Sequence, residues 1–265
     1  MTLESRWTES EHSIEGPVYR IRLCRPDKMN ALTPTLYGEI RAGVLAGLGS
    51  PNVRVIVIEG SGGVFAAGGD LKHFRDLLAL PPDERMVAFN DSYDVPLPFQ
   101  TILDCSKPVI AKIDGYCLAG GTILAAAADI AIATHGSTFG IPEGLVGLAD
   151  PFAATLLPAA IGLGRARYLM LTGDRIDAAT AEQWGLVLQS VPGDQLDGTV
   201  QRIVDKLVLM APESQRGYKR ASVRSLPRMN PLEIMEVALT PNGAEGLAAF
   251  GDKRPPQWAP SFYPI

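Results

Sequence analysis

The sequence predicts an α/β domain built of stacked, repeating turns. Three observations carry that prediction. Strand-like apolar runs recur at residues 18–23, 53–58, 108–113 and 130–134. Glycine turns follow two of these runs, as Phe65-Ala-Ala-Gly-Gly-Asp-Leu71 and Asp114-Gly-Tyr-Cys-Leu-Ala-Gly-Gly-Thr-Ile-Leu124, and each leads into a helical stretch. With 265 residues, 46% hydrophobic and 20% charged, the chain is long enough to bury one large core.

The first element, 18–23, alternates apolar and polar side chains as a half-buried strand does. Pro26-Asp-Lys-Met-Asn30 punctuates it before a helix that opens near Thr33-Pro34, where proline suits the first helical position. The strand 53–58, the first glycine turn and a helix from Asp70 form the next unit. Between residues 75 and 100 the pattern loosens. Pro81-Pro-Asp-Glu84 and Asp94-Val-Pro-Leu-Pro98 break any long helix there, and a substrate-shaping lid fits the segment. Strand 108–113, the second glycine turn and a helix from about Gly121 repeat the unit. Strand 130–134 then leads to Phe139-Gly-Ile-Pro-Glu143, and 165–172 reads as a helix before Asp177-Ala-Ala-Thr-Ala-Glu-Gln-Trp-Gly185. From about Pro192 the chain is mostly helical, with no Ser-rich or charged linker. The organisation is a core over 1–195 and a helical region over 196–265.

Composition excludes several functions. A net charge of -5 and a pI near 5.3, with no dense Lys/Arg block, argue against a nucleic-acid partner. Cys24, Cys105 and Cys117 cannot all pair and show no metal-finger spacing, which fits a reducing cytoplasm. The N-terminus has no apolar signal region, and the apolar run 123–133 is interrupted by Asp129, so no membrane association is expected. A Walker A loop, a G-x-G-x-x-G after a strand and a G-x-S-x-G elbow are all missing. His12, His73 and His135 have no metal-ligand company, so no metal site is expected. Chemistry is left to carboxylates and to backbone dipoles. A glycine turn into a helix leaves N–H groups free to hold an oxyanion, although glycines at such turns also serve tight packing alone.

Five motifs in order resemble the crotonase superfamily, also called the enoyl-CoA hydratase/isomerase family. They are Arg25-Pro-Asp-Lys-Met-Asn-Ala-Leu32, Phe65-Ala-Ala-Gly-Gly-Asp70, Lys107-Pro-Val-Ile-Ala-Lys-Ile-Asp-Gly115, Phe139-Gly-Ile-Pro-Glu143 and Phe250-x-x-Lys-Arg-x-Pro256, and the likeness runs from about residue 14 to 256. The resemblance implies a crotonase-like spiral of repeated ββα turns, with a C-terminal helical region that serves oligomerisation and contacts coenzyme A. It implies an acyl-CoA thioester as substrate, with coenzyme A as part of that substrate and no separate cofactor. The thioester oxygen is expected between the backbone N–H groups of Ala67 and Gly120, which would stabilise an enolate. Lys28, Ala66, Asp70 and Leu71 match positions near the pantetheine and adenine. Phe250 and Lys253 match residues that reach the nucleotide end, often from a neighbouring subunit, beside Arg254. A homotrimer or dimer of trimers is implied.

Hydratases of the family hold water between two glutamates. Here the first position carries Ile123, and only the second is kept, as Glu143. A single base beside an enolate site suits double-bond isomerisation, because it can take a proton from one carbon and return it to another. Asp150 resembles the aspartate of dienoyl-CoA isomerases and aryl-CoA dehalogenases, one residue closer to the glutamate than in those enzymes. It reads equally as a helix N-cap before Pro151. If both carboxyls face one pocket, their pKa values separate into an acid and a base. Hydration or dehydration by Glu143 with Asp150, CoA-ester hydrolysis, C–C cleavage, and a non-catalytic acyl-CoA-binding role remain alternatives. Cys117, Tyr116 and Phe139 read as packing, Trp184 as a helix packed on the core, and His73 and Tyr93 as candidates for the acyl pocket.

Overall fold

The computed structural model describes residues 7–81, 84, 85, 87, 88, 97–223 and 240–259. Strands β1 (Ser10–Glu15) and β2 (Val18–Leu23) form an antiparallel hairpin, followed by helix α1 (Pro34–Gly49), which Thr33 caps by accepting the Leu36 N–H. The spiral then begins. Each turn lays one strand in a large sheet, one in a small sheet, and then a helix. The first comprises β3 (Val55–Gly60), β4 (Val64–Ala66) and α2 (Leu71–Leu78), with α3 (Pro98–Asp104) beyond residue 97. The second comprises β5 (Val109–Ile113), β6 (Tyr116–Leu118) and α4 (Gly120–Ala127). The third runs through β7 (Ile130–Thr134), β8 (Thr138–Gly140), a 3-10 turn (Pro142–Val146), α5 (Pro151–Ile161) and α6 (Leu163–Thr172). Strand β9 (Arg175–Asp177), α7 (Ala178–Trp184), β10 (Gln189–Val191), α8 (Leu196–Leu209), α9 (Pro212–Val223) and α10 (Pro241–Gly251) complete the chain.

The large sheet has the order β1-β2-β3-β5-β7-β10 and is parallel from β2 onward. The small sheet has the order β4-β6-β8-β9, its last pair antiparallel. This is the crotonase-like spiral of ββα turns. Strand β3 is apolar on both faces because both are covered, as parallel sheets require. Ile56 and Ile58 join the inner core with Leu36 and Ile40 of α1 and Phe99 of α3. Val55 and Val57 face outward and meet Leu196, Val200 and Val204 of α8. Each such side chain contributes about 1.5–3 kcal/mol by leaving water.

The described residues differ from the sequence reading in detail. The second strand is Val55–Gly60 instead of 53–58, and α4 starts at Gly120. Strand β1 was not anticipated, and the second strand of each turn was implied by the resemblance alone, since three-residue strands carry no readable period. Cys117 and Phe139 are fully buried, as expected of packing residues, and Trp184 packs against the main core. Tyr116 is a correction. It stands 41% exposed on the outer face of β6, with the Arg175 guanidinium 5.8 Å from its ring centre. Tyr93 and residues 82, 83, 86 and 89–96 of the expected lid lie outside the described residues.

Candidate active site

The two glycine turns come together because their strands are neighbours in the small sheet. Ala66 leads out of β4 and Leu118 out of β6, and a side chain at Gly68 would collide with the methyl of Ala119. The second turn behaves as the sequence suggests. Its helix cap is Ala119, which offers no side-chain acceptor, and the Gly120 N–H at the first position of α4 has no partner among the described residues. Ala119 takes φ 52° and ψ -125°, a conformation that costs a non-glycine residue about 1–3 kcal/mol.

The first turn corrects the expectation for Ala67. Its N–H donates to the Met29 carbonyl at 3.0 Å, so it is already spent on the loop before α1. That carbonyl is presented by Met29 in the left-handed region, φ 51°. Two bonds flank the next residues: Leu32 N–H to the Gly68 carbonyl, 2.7 Å, and Asp70 N–H to the Leu32 carbonyl, 3.1 Å. In this parallel bridge Gly69 faces Leu32 while its own N–H points the opposite way. The Gly69 amide is left without a hydrogen bond among the described residues. No local pattern marks this choice; it depends on the register of the turn against residues 29–32.

Around the turn the side chains are structural. Asp70 caps α2 by accepting from Lys72 N–H (3.1 Å) and His73 N–H (3.3 Å), while its other oxygen meets both terminal nitrogens of Arg25 at 3.2 Å. Arg25 also donates to the Ala31 carbonyl at 2.6 Å and pairs with Glu9 at 3.2 Å. Asp70 is thus committed in side chain and backbone alike, since its N–H donates to the Leu32 carbonyl and its carbonyl accepts from the Phe74 N–H; Ala66 is fully buried at the end of β4, and Leu71 packs with Phe74 and Leu78. Sequence reasoning missed Arg25 as the clamp on this turn.

Glu143 sits in the 3-10 turn after β8. The turn is pressed between α6 and α10, and Val146, Leu148 and Leu247 pack together with Leu71, Phe74 and Leu78 of α2. The carboxyl is itself buried, and its Oε2 has no hydrogen-bond partner among the described residues. Burial first, and then the charge of Asp150, push its pKa up to about 8. Asp150 is the N-cap of α5, accepting from Phe152 N–H at 2.8 Å and Ala153 N–H at 3.2 Å. Burial raises it to about 6, partly opposed by those two bonds. Asp150 is thus a helix cap whose charge also reaches Glu143. Both carboxyls are pushed up, Glu143 further because the Asp150 charge adds to its burial, so ionising both together is disfavoured. Ile123 is fully buried in the core and brings no second carboxylate from α4.

The remaining candidates lie further out. Lys28 is exposed, 3.8 Å from Asp27. Phe250 is 60% exposed at the end of α10, and Lys253 follows it with φ 52°. Arg254 is held by Glu245 through two bonds of 2.7 and 3.1 Å, which removes it as a free phosphate ligand. His73 is partly buried beside Phe74, and burial lowers its pKa.

The sequence pattern of the family described as enoyl-CoA hydratase/isomerase matches residues 13–261. The chain belongs to this family. It is 34% identical to the mevalonyl-coenzyme A hydratase sidH of Aspergillus fumigatus, over 96% of this chain and 98% of that one. It is 32% identical to a probable mitochondrial enoyl-CoA hydratase of Dictyostelium discoideum, covering 92% and 88%. Among solved structures, an enoyl-CoA hydratase/isomerase from Xanthobacter autotrophicus Py2 shares 31% identity and a TM-score of 0.73, covering 92% and 88%. EchA1_1 from Mycobacterium paratuberculosis superposes with a TM-score of 0.80 at 25% identity, covering 94% and 98%. As a family member the chain is an enzyme of acyl-CoA thioesters, and no helix among its described residues is long and apolar enough to cross a membrane.

Proposed function

We propose that this enzyme holds an enoyl-CoA thioester oxygen on the Gly69 and Gly120 amides and shifts the double bond with the Glu143 and Asp150 carboxyls. The observation that carries this reading is the Glu143 carboxyl, buried near Asp150 with Oε2 unpartnered among the described residues, while the core position 123 holds an isoleucine and no second glutamate. Removing a proton next to the thioester places negative charge on its oxygen. Two amides already pointing there need no reorganisation, and each is worth about 3–4 kcal/mol of barrier. A pair holding one proton at neutrality can take a proton from one carbon and return one at another. Ile123 can neither orient water nor move a proton.

A second reading, hydration or dehydration with water held between Glu143 and Asp150, is favoured by the relatives, which carry hydratase names. Ester hydrolysis, C–C cleavage and a non-catalytic acyl-CoA-binding role would use the same anion site. Lys28, Phe250 and Lys253 are proposed to meet the coenzyme A moiety. The exposure of Phe250 suits a trimer-based assembly in which it reaches a neighbouring subunit. Three unpaired cysteines support a cytoplasmic setting.

The test is incubation in heavy water with 2-enoyl-, 3-enoyl- and dienoyl-CoA esters, followed by mass spectrometry. A shifted double bond with deuterium uptake is expected, slowed about 10²–10⁴-fold in Glu143→Gln. A gain of one water mass establishes the hydratase reading instead. Bound but unchanged esters without deuterium uptake establish the non-catalytic one.

A further inference from the structure

Ala119 lies in the second glycine turn, packs against Gly68 of the first and carries an unusual backbone. Its φ of 52° and ψ of -125° belong to a region that glycine fills readily and alanine does not. Three contacts hold it there. Its N–H donates to the Gly140 carbonyl at 2.8 Å, its carbonyl accepts from Ile123 N–H at 3.1 Å, and its methyl fills the notch left by the missing side chain of Gly68. Only 7% of the residue is exposed. The peptide plane between Ala119 and Gly120 is oriented by the ψ of Ala119, so this strained dihedral aims the Gly120 N–H. The methyl, seated on Gly68, also fixes how close the second turn lies to the first, one residue before Gly69.

We infer that Ala119 is a positioning residue, whose methyl sets the separation and aim of the Gly69 and Gly120 amides. The inference rests on the proposed role of those amides as the thioester-oxygen site. Strain of this kind persists only where its surroundings enforce it, and a functional constraint is the physical reason to keep an alanine where glycine would sit relaxed.

The test uses Ala119→Gly, which can keep the dihedral but loses the wedge, and Ala119→Ser, which keeps the Cβ. The carbonyl stretch of 13C-labelled crotonyl-CoA is recorded by infrared spectroscopy at saturation, established by calorimetric titration. Deuterium exchange into the bound ester is followed alongside. The wild type is expected to lower the stretch relative to free ester. In Ala119→Gly the band should return toward the free position and broaden, with exchange at saturation about tenfold slower, Kd within twofold and a melting temperature no lower than that of the wild type. Ala119→Ser should restore the shifted band. A shifted wild-type band reproduced unchanged by Ala119→Gly overturns the positioning role while leaving the anion site standing. An unshifted wild-type band overturns both.

Discussion

The two glycine turns look alike in sequence, yet the fold treats their amides in opposite ways. The first ends in Asp70, whose carboxylate consumes the N–H groups of Lys72 and His73, while Met29 consumes that of Ala67. The second ends in Ala119, which caps nothing, and Gly120 at the first helical position has its N–H unbonded among the described residues. A helix start is an anion site only where capping leaves a donor over. In the first turn the surviving donor is displaced to Gly69, and in the second it lies at the start of the helix.

The largest break in this comparison is Gly121→Ala. A Cβ there would strike the Ala66 carbonyl, a backbone atom that cannot step aside. The two turns must then separate, with an expected loss of about 2–4 kcal/mol in urea unfolding and of most proton-exchange activity. Asp70→Ala should be milder and one-sided. It removes the α2 cap and leaves Arg25 with Glu9 and the Ala31 carbonyl, costing about 1–2 kcal/mol, whereas the second turn has no cap to lose. Asp70→Asn, which caps as well but cannot pair with Arg25, divides that loss between the two contacts.

A smaller effect comes from Glu143. Its pKa of about 8 lies above the 4.5 of an ordinary glutamate, so the folded state holds its proton more tightly than the unfolded chain does. Its stabilising share is complete below pH 4.5 and is lost as pH rises through 8. Glu143→Gln should therefore unfold like the wild type at pH 4.5 and be about 3–5 kcal/mol more stable at pH 9, read from paired denaturant curves.

What the sequence could show follows from range. The long strands β2, β3, β5 and β7, the Thr33 cap of α1 and the Asp150 cap of α5 are local patterns, and all were legible. The small sheet was implied by the resemblance alone, because its strands β4, β6, β8 and β9 are three residues each. The assignment of the first donor to Ala67 missed a bond to Met29, thirty-eight positions away in the chain, that only the register reveals. The packing of the Glu143 turn was equally hidden, since Leu247 of α10 arrives from about a hundred residues downstream. Ile123 and Glu143 themselves were readable, because both lie inside local motifs.

The most direct test of the account is the pH dependence of deuterium exchange into a bound enoyl-CoA. A pair sharing one proton predicts a bell with limbs near 6, where Asp150 ionises, and near 8, where Glu143 does. The upper limb should vanish in Glu143→Gln along with most of the rate. A single rise near 4.5 followed by a plateau, unchanged by Asp150→Asn, would contradict the account, because it would mean an ordinary solvated glutamate working alone.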